Sequence, residues 1–151
     1  MFVLLRALAS IRSQARLPGG DPRWLAIRHV DAGSCNGCEH ELGAVTNPYH
    51  DLQRHGLDIV ASPRHADILL VTGAVTTRMA GPLRTAYEAM PEPRLVAALG
   101  DCALGCNVLA DASELAPPLE QLLPIDIRIP GCPPTPDAIA HHLLAAIAQD
   151  K

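Results

Sequence analysis

The sequence predicts an α/β domain whose sheet is mostly parallel and flanked by helices. Short runs rich in Val, Ile and Leu alternate with stretches of helical character along the chain, and such alternation marks βαβ units. The run Asp67-Ile68-Leu69-Leu70-Val71-Thr72-Gly73 is apolar on successive residues and stops at glycine, as strands buried on both faces do. With 151 residues, 48% of them apolar and 19% charged, the chain suits one domain with its own core and not a disordered polymer. Its expected organisation is an N-terminal amphipathic helix and loop over 1–23, then the α/β domain over 24–151.

Taken in order, residues 1–17 read as a helix with Leu4, Leu8, Ile11 and Ala15 near one face and Arg6, Arg12 and Arg16 elsewhere. That basic segment suits a membrane surface, an acidic partner or simple packing on its own domain. Leu17-Pro18-Gly19-Gly20-Asp21-Pro22 breaks it. Strands are expected at Trp24–Val30, Leu57–Val60, within 67–73, at Arg94–Leu99 and at Ile125–Ile129. Helices are expected from Cys38 or Glu39 to Thr46, where Asn47-Pro48 stops them, then over Tyr49–His55 and Thr77–Met90. Shorter evidence supports Leu119–Leu123, and Asp137–Gln149 closes the chain. Aromatic residues are only 3% of the chain, so Leu, Ile, Val and Ala must build the core.

A formal charge of −4 gives no reason to expect a nucleic-acid partner. No apolar run reaches the roughly 18 residues of a membrane-spanning helix. Arg6 interrupts the start too soon for a secretory core, and no twin-arginine pair is present. Five cysteines without an export signal point to reduced thiols that bind metal or carry redox chemistry, in the cytoplasm.

Four of those cysteines follow strands. Cys35 and Cys38, in Ser34-Cys35-Asn36-Gly37-Cys38-Glu39, follow the first strand, Cys102 follows the Arg94–Leu99 strand, and Cys132 follows the last. Parallel sheets bind ligands beyond the carboxyl ends of their strands, so three loops bring four thiols to one edge. Such a set suits tetrahedral zinc or an iron–sulfur cluster. One close pair joined by two distant singletons, with proline after Cys132, favours the cluster. Isolated cysteines are commonly small core residues, a poor account of four in Gly- and Pro-flanked loops. Cys106 stands four residues after Cys102, within reach of the same site. Cys102 is the expected ligand because the strand fixes it, and Cys106 the bystander.

At these residues the chain resembles a known family: the 20 kDa cluster-carrying (B) subunit of NADH:quinone oxidoreductase, shared with the small subunits of [NiFe] hydrogenases. The resemblance runs over about residues 25–150. It rests on Ser34-Cys35-Asn36-Gly37-Cys38, Val71-Thr72-Gly73-Ala74-Val75-Thr76, Arg78-Met79-Ala80, Met90-Pro91-Glu92-Pro93, Gly100-Asp101-Cys102-Ala103 and Pro130-Gly131-Cys132-Pro133-Pro134, in that order. Members from NADH:quinone oxidoreductase carry adjacent cysteines at the first position, whereas Cys35 and Cys38 here are spaced as in hydrogenase small subunits. Gly100-Asp101-Cys102-Ala103 is similar to the membrane-bound group 4 hydrogenases, formate hydrogenlyase among them. Where Cys106 stands, the family usually has glycine.

The resemblance implies a single flavodoxin-like domain with one [4Fe–4S] cluster at the carboxyl edge of its strands, held by Cys35, Cys38, Cys102 and Cys132. It implies an electron-relay subunit beside the active centre of a larger complex and inactive alone. Its partners would be a hydrogenase-like large subunit, a ferredoxin-like iron–sulfur subunit and integral membrane subunits, placing the chain on the inner face of the cell membrane. A B subunit passing electrons to quinone is the alternative, and a zinc-stabilised interaction module is the alternative of another class. Glu41 matches a glutamate of the Cys-x-x-Cys-Asp-x-Glu members. On a helix it lies one turn after Cys38, where reduction of a cluster would favour proton uptake, so proton transfer and plain helix stabilisation are both open to it. Asp101 reads as a residue that tunes the cluster or, the commoner case, caps a helix, Glu39 as a charge stabilising a helix N-terminus, and Arg78 as a donor near the cluster or the partner of an acid. The seven histidines lack zincin spacing and read as facing solvent or partners.

Overall fold

Strands hidden on both faces need apolar residues at every position, and the middle of this sheet meets that demand. A computed structural model of the chain describes residues 24–106 and 112–149. All five residues of the strand Ile68–Thr72 are buried there, as are Val96 to Leu99 of the strand Leu95–Leu99. Five strands pair in parallel: β1 (Leu25–Asp31), β2 (Leu57–Ile59), β3 (Ile68–Thr72), β4 (Leu95–Leu99) and β5 (Ile127–Ile129), in the order β2-β1-β3-β4-β5. The order reverses between β1 and β3, the switch that opens a crevice above the carboxyl ends of the strands.

Alternation along the strands gives two cores. On one face Ile27, Ile68, Leu70, Ala97, Leu99, Ile127 and Ile129 meet Leu42 and Val45 at α1 (Gly37–Ala44) and Ile139 and Leu143 of α4 (Pro136–Gln149). On the other, Val30, Leu69, Val71, Val96 and Ala98 meet Leu83 of α2 (Thr77–Glu88) and Leu119 of α3 (Leu119–Leu122). Burying a leucine or isoleucine fully is worth about 1.5–3 kcal/mol, so these contacts fix each helix to its face. The expected α/β class and parallel sheet are borne out, with ends shifted by a residue or two.

One expected helix is corrected. Over 49–55 only Leu52–His55 forms a 3₁₀ turn. The side chain of Asn47 accepts hydrogen bonds from the amides of Tyr49 and His50 (2.8 and 3.1 Å), and Asp51 takes a left-handed φ of 40°, so the backbone is committed to turns before a helix can propagate. The helix expected over 1–17 and the division at residue 23 lie outside the described residues.

Candidate metal centre

Register sets the site. Asp31 of β1 pairs with Thr72 of β3, Thr72 with Leu99 of β4, and Leu99 with Ile129 of β5, so four strands end on one row. The loops that carry the thiols therefore leave the sheet side by side, and Cys102 and Cys132 each stand three residues beyond that row.

The first loop is folded by its own polar groups. Asp31 Oδ1 accepts the amides of Gly33 and Ser34 at 2.9 and 2.8 Å, a turn that Asp forms readily. Ser34 Oγ donates to Glu39 Oε2 at 2.6 Å and accepts the Asn36 amide at 3.1 Å. Asn36 is left-handed (φ 74°), and α1 starts directly after it with Cys38 in its first turn. Gly73, at the end of β3, lies so close beneath this loop that a Cβ there would come within 2.4 Å of the Ser34 nitrogen. Gly100, at the end of β4 with φ 87°, does the same for the thiol itself: a Cβ would sit 2.6 Å from Cys38 Sγ. Only glycine combines that backbone with that approach.

The other two loops are tied to each other. Gly100 N–H donates to Ile129 O (2.8 Å), Asp101 N–H to Gly131 O (2.9 Å), and Gly131 N–H to Asp101 Oδ1 (2.7 Å). Asp101 is thus not the helix cap the sequence suggests, because its carboxylate is engaged across the loops and residues 101–105 form turns.

The thiols act on one another electrostatically across the loops. Burial, followed by charge from Glu39, Cys102, Cys35 and Cys132, pushes the Cys38 thiol up to about 11. Burial also pushes Cys102 up, followed by Cys132, Cys35, Asp101 and Cys106. Cys35, Cys102 and Cys132 thus all act on Cys38, and Cys132, Cys35 and Cys106 all act on Cys102, at the carboxyl edge of the sheet. All five are free thiols; Cys35, Cys106 and Cys132 are exposed, and Cys38 and Cys102 half-buried. Gathered thiolates repel in the absence of a cation and become favourable ligands once a metal replaces their protons. Among the described residues no three of His, Cys, Asp or Glu stand close enough to hold a single ion.

Two polar arrangements were not foreseen. His29 of β1 lies at 2.8 Å from Thr72 Oγ1, the fully buried end of β3, and at 3.6 Å from Glu39 Oε1. Glu39 keeps its place in the first turn of α1, but its carboxylate also joins the cysteine loop to the sheet. The signal was available, since a part-buried histidine within a strand of the sheet must find a partner. His50, expected to face solvent or a partner, is largely buried within the chain and lies 3.1 Å from Asp137 at the start of α4. Glu41 is half-buried on α1, and Arg78 is exposed in the first turn of α2; neither side chain makes a hydrogen bond or ion pair among the described residues.

Fold and site together define a class: a doubly wound α/β domain that presents thiols over the carboxyl ends of its parallel strands. The chain belongs to the family described as NADH ubiquinone oxidoreductase, 20 kDa subunit, whose profile matches residues 35–146. This is a family of iron–sulfur proteins, and membership makes the chain a subunit of an oxidoreductase complex and not a self-sufficient enzyme. It is 44% identical over 121 residues to a probable membrane-bound hydrogenase subunit of Pyrococcus furiosus, covering 80% of this chain and 72% of that protein. It is 40% identical over 121 residues to formate hydrogenlyase subunit 7 of Escherichia coli, covering 80% of this chain but only 48% of that longer protein. Among solved structures, a chain of the archaeal membrane-bound sulfane sulfur reductase, a respiratory membrane complex, superposes with a TM-score of 0.73 at 29% identity, covering 93% of this chain and 77% of that one. No helix among the described residues is long and apolar enough to cross a membrane.

Proposed function

We propose that the chain is the electron-transfer subunit of a membrane-bound, hydrogenase-like oxidoreductase complex of the formate hydrogenlyase kind. In this reading Cys35, Cys38, Cys102 and Cys132 hold one [4Fe–4S] cluster. The observation that carries it is the row on which four strands end level, from which the loops bearing those thiols leave side by side. Four soft sulfur donors suit either iron–sulfur or zinc. One close pair joined by two singletons far along the chain, with proline after Cys132, favours the cluster.

When bound, the cluster supplies one-electron transfer. The chain's own part is to hold the thiolates and shape their surroundings: Gly100 leaves room beside Cys38, and the loop bonds of Asp31, Ser34 and Glu39 fix the first pair. Exposure of Cys35 and Cys132 calls for partner surfaces over the site, which we assign to a hydrogenase-like large subunit and a ferredoxin-like iron–sulfur subunit. Integral membrane subunits of the same complex would hold the chain on the inner face of the cell membrane. Glu41, half-buried and lacking a described partner, is assigned to proton transfer beside the centre. The second reading, a B subunit delivering electrons to quinone, draws on the family match. The spaced pair Cys35 and Cys38 favours the hydrogenase reading.

The test is anaerobic reconstitution of the full chain with iron and sulfide. Serine at Cys35, Cys38, Cys102 or Cys132 should each reduce iron content well below four per chain, and Cys106→Ser should leave it full. A full complement in Cys102→Ser with loss in Cys106→Ser would reassign that ligand. Zinc uptake with no visible absorption would sink the electron-transfer reading.

A further inference from the structure

Asp101 and Gly131 exchange two hydrogen bonds across adjacent loops: the Asp101 amide donates to Gly131 O at 2.9 Å, and the Gly131 amide donates to Asp101 Oδ1 at 2.7 Å. The same reciprocal clasp occurs twice at the opposite end of the sheet. Asp67 donates to Ala26 O (2.8 Å) and accepts the Ala26 amide on Oδ2 (2.9 Å), while Asp126 donates to Val96 O (2.9 Å) and accepts the Val96 amide on Oδ2 (2.8 Å). There the clasps extend strand pairing just ahead of β3 and β5. The third stands where pairing has stopped, because positive φ at Gly100 and Gly131 (87° and 135°) turns both chains off the sheet. Without the carboxylate the part-buried Gly131 amide would lose the partner this structure gives it.

We propose that Asp101 is a positioning residue that fixes the separation of the Cys102 and Cys132 loops, and through them the shape of the thiol site. Each end of the clasp lies one bond in sequence from a thiol-bearing residue: Asp101 precedes Cys102 and Gly131 precedes Cys132. Two opposed bonds of this length fix the spacing of the loops they join, and residues that orient metal ligands commonly matter to retention almost as much as the ligands. The inference rests on the proposed thiolate centre and goes beyond it by naming what sets its geometry.

The experiment uses the full chain loaded with iron and sulfide, comparing wild type with Asp101→Ala, Asp101→Asn and Asp126→Ala. Three readouts are taken: iron release to a ferrous chelator, the electron paramagnetic resonance line shape of the reduced centre, and the unfolding midpoint of the metal-free chain. Asp101→Ala should release iron about tenfold faster or more and broaden the spectrum. Asp101→Asn keeps an oxygen acceptor for the Gly131 amide and should stay within about twofold of wild type, with an unchanged line shape. Asp126→Ala breaks a like clasp far from the thiols; it should lower the unfolding midpoint and leave release and spectrum unchanged.

Wild-type release from Asp101→Ala, or equal acceleration in Asp126→Ala, would overturn the proposal by showing no role or only a general one. If Asp101→Ala does not fold, Asp101→Asn decides: fast release there would mean that charge and not the bond matters, which also overturns it. Failure of the wild-type chain to take up iron and sulfide is a different result. It defeats the cluster reading, and this inference falls with it.

Discussion

At the amino ends of its strands aspartates prolong the pairing of the sheet; at the carboxyl ends the same clasp lies between two thiol loops. The two ends differ in how the chain turns, since of the positive-φ glycines only Gly56 directly precedes a strand. Gly33, Gly73, Gly100, Gly105 and Gly131, all with positive φ, follow strands β1, β3, β4 and β5. The carboxyl end also holds thiols whose ionisation burial opposes, and a His29–Glu39 pair pressed between sheet and helix. Turning glycines and ionisable groups that burial disfavours collect at the end proposed to hold the metal, and the rest of the fold supports them. The lesson is that one hydrogen-bond device serves two purposes, and its meaning is set by what stands next in the chain.

The sharpest way to break this contrast is Gly100→Ala. Its Cβ would press on Cys38 Sγ in a backbone region that disfavours alanine, costing roughly 1–2 kcal/mol from conformation alone. Iron uptake should fall severely, as measured by iron and sulfide content after reconstitution. Asp126→Ala tests the amino end and should cost about 1–3 kcal/mol in denaturant unfolding by orphaning the Val96 amide, with cluster content intact. Gly43→Ala, in α1 with nothing within 4 Å of the added carbon, should do the reverse and raise stability by about 0.5–1 kcal/mol, again without touching the iron.

A smaller effect concerns pH. Burial holds the His29 imidazole below its ordinary 6.5, against the opposing pull of Glu39 and Asp31, and Arg28 lowers it further. The folded chain therefore keeps His29 neutral where the unfolded chain has begun to take a proton. Stability from this group is fully present above 6.5, declines as pH falls below it, and levels off under the folded value. Unfolding midpoints of the metal-free chain should show that slope, and His29→Gln should flatten it; an unchanged slope would remove His29 from the account. The smallest expected effect is Glu41→Gln, which should spare iron content and stability but alter how cluster reduction depends on pH in the assembled complex. If that dependence is unmoved, Glu41 only supports its helix.

Much of this was legible in the chain because the signals were local. Ile68 to Thr72 reads as a doubly buried strand from its unbroken apolar run, Gly73 and Gly100 mark strand ends, and the cysteines stand where such strands stop. What escaped was long-range or polar. His29 reaches Glu39 and Thr72 through tertiary packing that no periodicity announces, His50 meets Asp137 from the far end of the chain, and Asp101 meets Gly131 thirty positions on. The Tyr49–His55 helix failed for the opposite reason: its residues favour helix modestly, but the Asn47 side chain offered the backbone a nearer partner, and Tyr49, 86% exposed, had no core to join.

The strand order carries a consequence for the making of the protein. Cys35 and Cys38 sit over β1, but Cys132 rides on β5, a three-residue strand at the sheet's outer edge. A ribosome adding about 5–20 residues per second needs roughly 5–20 s to pass from the first of these thiols to the last. Through that interval the early pair is on hand with no complete binding place, and β5 must dock on β4 before the fourth proposed ligand arrives. Loading of a centre drawn from all four is thus tied to the end of synthesis, and a chain stalled before residue 132 would carry reactive thiols with nothing to hold.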